Sequence, residues 1–195
     1  MKSKLLFRIS IPASLTIDYT ILQTISVRRE QAVLKIRHNK SEETFALKIR
    51  FSDLPTFELC PSMNDNLSNL LLPLHIVQDS VFTYEIYPFL ESLSDYIRNN
   101  KPIDVSFLFQ LICHIENSIT TMHKSGYAHY DISARNIFLS HENNENVSDS
   151  ILFYLGDFSC IKSISSKEQQ KDINDFSKLF LLLLNHGNFS TNFCS

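Results

Sequence analysis

Two short stretches in the second half of the chain hold residue types suited to phosphate chemistry. His129-Tyr-Asp-Ile-Ser-Ala-Arg-Asn136 sets a carboxylate, Asp131, a few residues ahead of an amide, Asn136. Leu155-Gly-Asp-Phe-Ser159 then supplies a second carboxylate, Asp157. One carboxylate can orient a hydroxyl nucleophile, while an amide oxygen and another carboxylate can hold Mg2+ on the phosphates of a nucleotide. Each piece alone also reads as an ordinary loop acid or a capped turn, so its value depends on the elements around it.

The pattern predicts a helix over Asp104 to Ser125, because Phe107, Leu108, Leu111, Ile112, Ile115, Ile119 and Met122 recur at helical spacing. Asp104 is its expected cap and Gly126 its expected stop, so the helix feeds the chain into Tyr127-Ala-His-Tyr-Asp131. Asn136 is followed by an apolar strand, Ile137-Phe-Leu, and Asp157 is preceded by another, Ile151 to Leu155. The polar run Ser140 to Ser150 between them is expected to be a solvated hairpin loop. Earlier in the chain, Thr20 to Ile25, Ala32 to Ile36 and Thr44 to Ile49 read as an antiparallel meander. Leu74 to Val77 and Val81 to Tyr87 read as a hairpin turning at Gln78-Asp-Ser80, which brings the sheet to five strands. The basic start, interrupted at Arg8, is read as a strand or a tail and not as a secretory signal.

With 195 residues and 44% hydrophobic content the chain can bury a core as one domain or two small lobes. A net charge of −3 without a basic run gives no nucleic-acid footprint. No apolar run approaches the roughly 20 residues of a membrane-spanning helix. Cys60, Cys113, Cys160 and Cys194 are scattered, without metal-ligand spacing, and suit a reducing, cytoplasmic compartment.

The two chemical stretches resemble the H-R-D-x-x-x-x-N and D-F-G loops of the protein kinase superfamily. Phe45-Ala-Leu-Lys48 is similar to that family's V-A-I-K strand, with Val33 at the distance where the family has the valine that covers adenine. Tyr84-Glu-Ile-Tyr-Pro-Phe-Leu-Glu91 resembles the hinge between kinase lobes. The resemblance implies an α+β, two-lobed fold: a five-stranded antiparallel N-lobe over 1–88 with a reduced αC helix, and a truncated helical C-lobe over 89–195. It implies ATP and Mg2+, with Asp131 orienting the substrate hydroxyl and Asn136 and Asp157 holding the metal. Lys48 would contact the phosphates, Glu85 and Tyr87 would belong to the adenine-binding hinge, and Glu91 would meet the ribose. Arg135, similar to the Ala-Arg-Asn ending of tyrosine-kinase loops, would bring positive charge to the γ-phosphate. Glu58, between Pro55 and Pro61, is the candidate partner of Lys48, with Asp53 and Asp65 as alternatives. His129 is read as a support of the loop, Phe158 as packing under αC, and Asp172 as bonding back to the catalytic-loop backbone.

The chain departs from the family at several positions. Ser26, Arg28 and Gln31 occupy the Gly-rich-loop positions, and Arg28 or Arg29 reads equally as a phosphate partner or a turn charge. Tyr130 stands for the Arg that reads a phosphorylated activation loop, Ser133 for a common Lys, and Ser159 for Gly. The segment 160–171 is short, no A-P-E occurs, and the helices that complete a large lobe are missing. In this it resembles the minimal kinases among effectors that bacterial pathogens deliver into host cells. The expected activity is phosphotransfer to a protein hydroxyl, with a protein substrate and an activating or targeting protein partner. A pseudokinase acting by protein interaction and a small-molecule kinase of the aminoglycoside or choline type are the alternatives.

Overall fold

Alternation of side chains builds the first of two compact units. In β2 (Gln31–His38) the residues Ala32, Leu34 and Ile36 are buried, and their neighbours are less so. Such a period of two presents one apolar face. β2 lies between β1 (Tyr19–Val27) and β3 (Thr44–Phe51), and β5 (Phe82–Pro88) and β4 (His75–Gln78) complete a five-stranded sheet in the order β1-β2-β3-β5-β4. Every pairing in it is antiparallel. Leu34, Ile36, Leu47, Ile49, Tyr84 and Ile86 form the core on one face, closed by Leu15 of α1 (Ala13–Asp18). The β4–β5 turn is held by Asp79, whose Oδ1 accepts from the amides of Val81 and Phe82.

The computed structural model describes residues 11–28, 30–52, 69–142 and 150–186. Of these, 11–52 and 72–89 make up the first unit, and 69–71 and 90–186 the second. The helix α1 was not expected from sequence. It is six residues long, too short for a periodic stripe, and it starts where Pro12, at φ −54, offers its carbonyl to the amides of Leu15 and Thr16. The segment expected to form αC, with Glu58, Asp53 and Asp65, lies outside the described residues, as does Arg29.

The second unit is organised by α3 (Val105–Lys124), whose cap is Asp104, accepting from the Phe107 amide at 2.7 Å. Its buried stripe of Phe107, Leu108, Leu111, Ile115, Ile119 and Met122 is the expected one except for Ile112, which is half-buried. Gly126 stops the helix at φ +85, a conformation that suits glycine. β9 (Ser150–Leu155) runs along α3, with Phe153 edge-on to Phe107 at 4.9 Å. Two α3 side chains cap amides of that strand: Gln110 accepts from Ile151 at 3.0 Å, and His114 Nδ1 from Phe153 at 3.2 Å. β9 pairs with β8 (Ile137–Glu142), and β8 with β6 (Glu91–Ser92), while Ser92 caps the short helix α2 (Leu93–Arg98).

β8 and β9 run further than the apolar residues alone suggest. Their ladder continues to Glu142 opposite Ser150, so only 143–149 of the expected loop are left outside the described strands. Ladder hydrogen bonds are made by the backbone, and a polar, solvent-facing sequence does not forbid them. α4 (Ser166–His186) begins earlier than Asp172, and the stretch after Asp157 is reduced to one 3-10 turn, Phe158–Cys160, and β10 (Lys162–Ser163), which pairs with β7 (Tyr127–Ala128). Among the described residues no helix is long and apolar enough to cross a membrane.

Packing, more than capping, should hold α3 in place. Leu111→Ala, at a fully buried site, is expected to cost about 2–5 kcal/mol, and Asp104→Ala about 1 kcal/mol. Urea denaturation of the two variants measures both.

Candidate active site

Asp172, on α4, is buried to 1% exposure and receives three hydrogen bonds. The amide of His129 donates to Oδ2 at 2.9 Å, the amide of Tyr130 to Oδ1 at 2.7 Å, and His123 Nε2, from the last turn of α3, to Oδ2 at 2.9 Å. A buried carboxylate must find such donors, because its desolvation is otherwise uncompensated. The expected bond back to the catalytic-loop backbone is therefore present; His123 is an addition that sequence spacing did not reveal. The bond also holds Tyr130 in the left-handed region at φ +67, a strain of about 1–3 kcal/mol for a bulky residue.

His129 is fully buried and spends both ring nitrogens on the backbone. Nε2 donates to the Gly156 carbonyl at 2.9 Å, and Nδ1 accepts from the Asp131 amide at 3.3 Å. Burial holds its pKa below the ordinary histidine value, so the ring is neutral. Phe158 meets the ring edge-on, with centroids 5.5 Å apart. His129 thus supports the loop; its proton is fixed by a carbonyl and takes no part in acid–base work.

The segment carrying Asp157 is tied to the loop carrying Asp131 from both sides of Gly156. Its carbonyl takes the His129 proton, and its amide donates to the Asn136 carbonyl at 2.8 Å. A Cβ at Gly156 would lie 3.0 Å from Phe138 and 3.2 Å from Leu71, so a side chain here would press both outward by a few tenths of an ångström. Asn136 Nδ2 donates to the Asp131 carbonyl at 2.8 Å and to its Oδ2 at 3.0 Å. Asp157 adopts φ +60 and ψ +70, and its Oδ1 accepts from the Ser159 hydroxyl at 2.8 Å. Asp tolerates that backbone region better than most residues. The left-handed residue is thus the aspartate itself, and Ser159 serves as its hydrogen-bond partner.

Asp131, Asn136 and Asp157 are therefore gathered in one unit by backbone links. No group of three or more His, Cys, Asp or Glu side chains able to hold a metal occurs among the described residues. The donor set fits a different arrangement. With Nδ2 turned to Asp131, Asn136 offers its amide oxygen, and Asp157 a carboxylate, which are the oxygen donors Mg2+ takes when phosphates supply the rest. Arg135 is exposed on the same loop.

The first unit carries the other candidates on the sheet face opposite its core. Val33, Lys48 and Glu85 stand in one row across β2, β3 and β5, and Ala46 pairs with Tyr87 on the next row of that face. Lys48 is only 8% exposed. Glu85 accepts from Arg50 Nε and from the Tyr87 hydroxyl, both at 2.9 Å. Glu85 and Tyr87 thus belong to a buried side-chain network with Arg50, a residue the sequence had not singled out. Glu91, expected at a ribose, lies in the second unit and is ion-paired to Lys101 at 2.7 Å, with Asn99 donating at 3.3 Å. The glycine-free β1–β2 turn closes by Arg28 donating its amide to the Gln31 carbonyl at 2.8 Å, and Arg28 is exposed.

A catalytic-type loop, a metal-type loop and a five-stranded sheet bearing a buried lysine define a kinase-like class of protein. The family model of the protein tyrosine and serine/threonine kinases matches residues 63–177, and the chain belongs to that family. The matched span includes Glu85, Tyr87, Glu91, Asp131, Arg135, Asn136, Asp157 and Asp172, and starts beyond Val33 and Lys48. No curated protein matches the chain.

The neutral state of His129 has a consequence for stability. Its folded pKa is depressed, so as pH falls through the unfolded value of about 6.5 the unfolded chain binds the extra proton and stability drops, by at most about 1.4 kcal/mol per pH unit. His114, also depressed by burial, adds a term of the same sign. Denaturation midpoints at pH 7.5, 6.5 and 5.5 should fall in that order. His129→Gln should be less stable at pH 7.5 and show a shallower fall.

Proposed function

We propose that the chain transfers the γ-phosphate of ATP, with Mg2+, to a hydroxyl on a protein substrate. The observation that carries this reading is Gly156, bonded through its amide to Asn136 and through its carbonyl to His129. Those two bonds fix the start of the metal loop to the loop that carries Asp131. Family membership supports phosphotransfer as the activity. Within the site, Asn136 holds Asp131 by two hydrogen bonds, which limits the carboxylate to orientations useful for receiving a hydroxyl. Asn136 and Asp157 would hold Mg2+, which when bound neutralises charge on the phosphates. Lys48 would contact the phosphates and Val33 the adenine. Exposed Arg135 would add a positive charge beside Asp131. The proposal includes a protein partner that activates or targets the enzyme, supported by the exposed Ile173, Leu181, Leu182 and Leu184 on α4.

A second reading is a binding module without turnover. The glycine-free turn at Arg28 and the prior engagement of Glu91 with Lys101 favour it.

The two readings separate in one experiment. The pure chain, Asp131→Ala and Asp157→Ala are incubated with Mg2+ and labelled ATP in a cell lysate, and ATP binding is followed by thermal shift. Under the first reading both variants lose at least about 100-fold in transfer. Asp131→Ala keeps its nucleotide-induced shift, and Asp157→Ala loses the Mg2+-dependent part. Equal transfer by Asp131→Ala and the parent overturns the assignment, and binding without transfer by the parent supports the module.

A further inference from the structure

The chemistry just proposed leaves one cluster unused, directly beside Asp131. The ring of Tyr130 has the Lys162 ammonium 3.5 Å from its centroid and the Lys171 ammonium at 4.7 Å. Both distances are within the range at which an ammonium is attracted to the negative face of an aromatic ring. The two lysines come from different elements. Lys162 is in β10, in the stub that follows Asp157, and Lys171 is on α4, where it also pairs with Asp175. One ring therefore touches three pieces of the site: the loop bearing Asp131, the stub, and the helix bearing Asp172.

The backbone hold on the stub is short. β10 pairs with β7 over two residues only, Lys162 opposite Ala128 and Ser163 opposite Tyr127, and the Ile164 amide then donates to the Gly126 carbonyl at 2.9 Å. A two-residue ladder is marginal without side-chain support. The backbone that carries the ring is held firmly. It is locked at φ +67 by the bond from the Tyr130 amide to Asp172.

We propose that Tyr130 is a positioning residue, whose ring, gripped by Lys162 and Lys171, pins the segment after Asp157 to the catalytic loop. This rests on the phosphotransfer reading for its effect on activity, though not for the clamp itself. An Arg at this position would bring a third cation between the two lysines and would need an anion to hold the segment. The tyrosine ring holds it with the cations already in the chain, without a phosphate group.

Full-length Tyr130→Leu, Tyr130→Phe, Lys162→Met and Lys162→Arg test the clamp. Hydrogen exchange is followed at the Ile164 amide, and kcat and KM for Mg·ATP are measured with dephosphorylated casein as acceptor. Tyr130→Leu and Lys162→Met should speed exchange about two- to fivefold and lower kcat by a similar factor, with KM for ATP changed by less than about twofold. Tyr130→Phe and Lys162→Arg, which keep a ring and a cation, should behave as the parent. The clamp is refuted if exchange in Tyr130→Leu and Lys162→Met matches the parent, or if Tyr130→Phe is as damaged as Tyr130→Leu. Faster exchange with unchanged kcat refutes the positioning role. Lys162 is exposed, so Lys162→Met decides the matter if Tyr130→Leu does not fold. A parent without transfer overturns the phosphotransfer reading, and the exchange measurements then decide the clamp alone.

Discussion

A buried carboxylate that has lost its water must be met by donors, and the second unit is arranged to satisfy one such group. Asp172 gathers the amides of His129 and Tyr130 and the ring of His123, so one side chain ties the end of α3, the loop after β7 and the start of α4. Everything chemical follows from that anchorage. With the His129 amide fixed, its ring reaches the Gly156 carbonyl, and Gly156 in turn reaches Asn136. Asn136 then holds Asp131. The chain of hydrogen bonds runs without interruption from the buried carboxylate of Asp172 to that of Asp131.

The first unit solves a different problem. Its sheet buries an apolar face under α1 and leaves charged residues on the other. Lys48, Arg50 and Glu85 on that face are each nearly inaccessible to solvent, and burying charge is tolerable only when partners are supplied. The Arg50–Glu85 ion pair and the Tyr87 hydroxyl supply them for Glu85. Removing one member would strand a charge, so the network favours a single arrangement of the strands that carry Val33 and Lys48.

What the sequence disclosed followed the range of the interactions. The five strands, α3 with its Asp104 cap and the stop at Gly126 are set by residues close in sequence, and period and capping chemistry expose them. Asp131, Asn136 and Asp157 were legible because spacing carries them. Of the supports, His129 and Asp172 were legible too, and the others were not. His123, Tyr130, Lys162 and Lys171 meet only after folding, and no local pattern marks a ring that will receive two lysines. Glu91 adds a contact that spacing did not suggest, an ion pair with Lys101 after α2. α1 escaped notice because one buried leucine makes no periodicity.

Gly156 lacks any reactive atom, yet Phe138 and Leu71 close over it so that a single added carbon would crowd both. Its neighbour Asp157 has the opposite character, a reactive group on a backbone that an aspartate can adopt. Adjacent positions thus answer to different demands, one to steric fit and one to ion chemistry. Under the proposed phosphotransfer, a change at Asp157 would remove a metal donor and leave the packing around it in place, whereas a side chain at Gly156 would first press on Phe138 and Leu71. Position 157 therefore bears on the proposed chemistry, and position 156 on how closely the segments around it can pack.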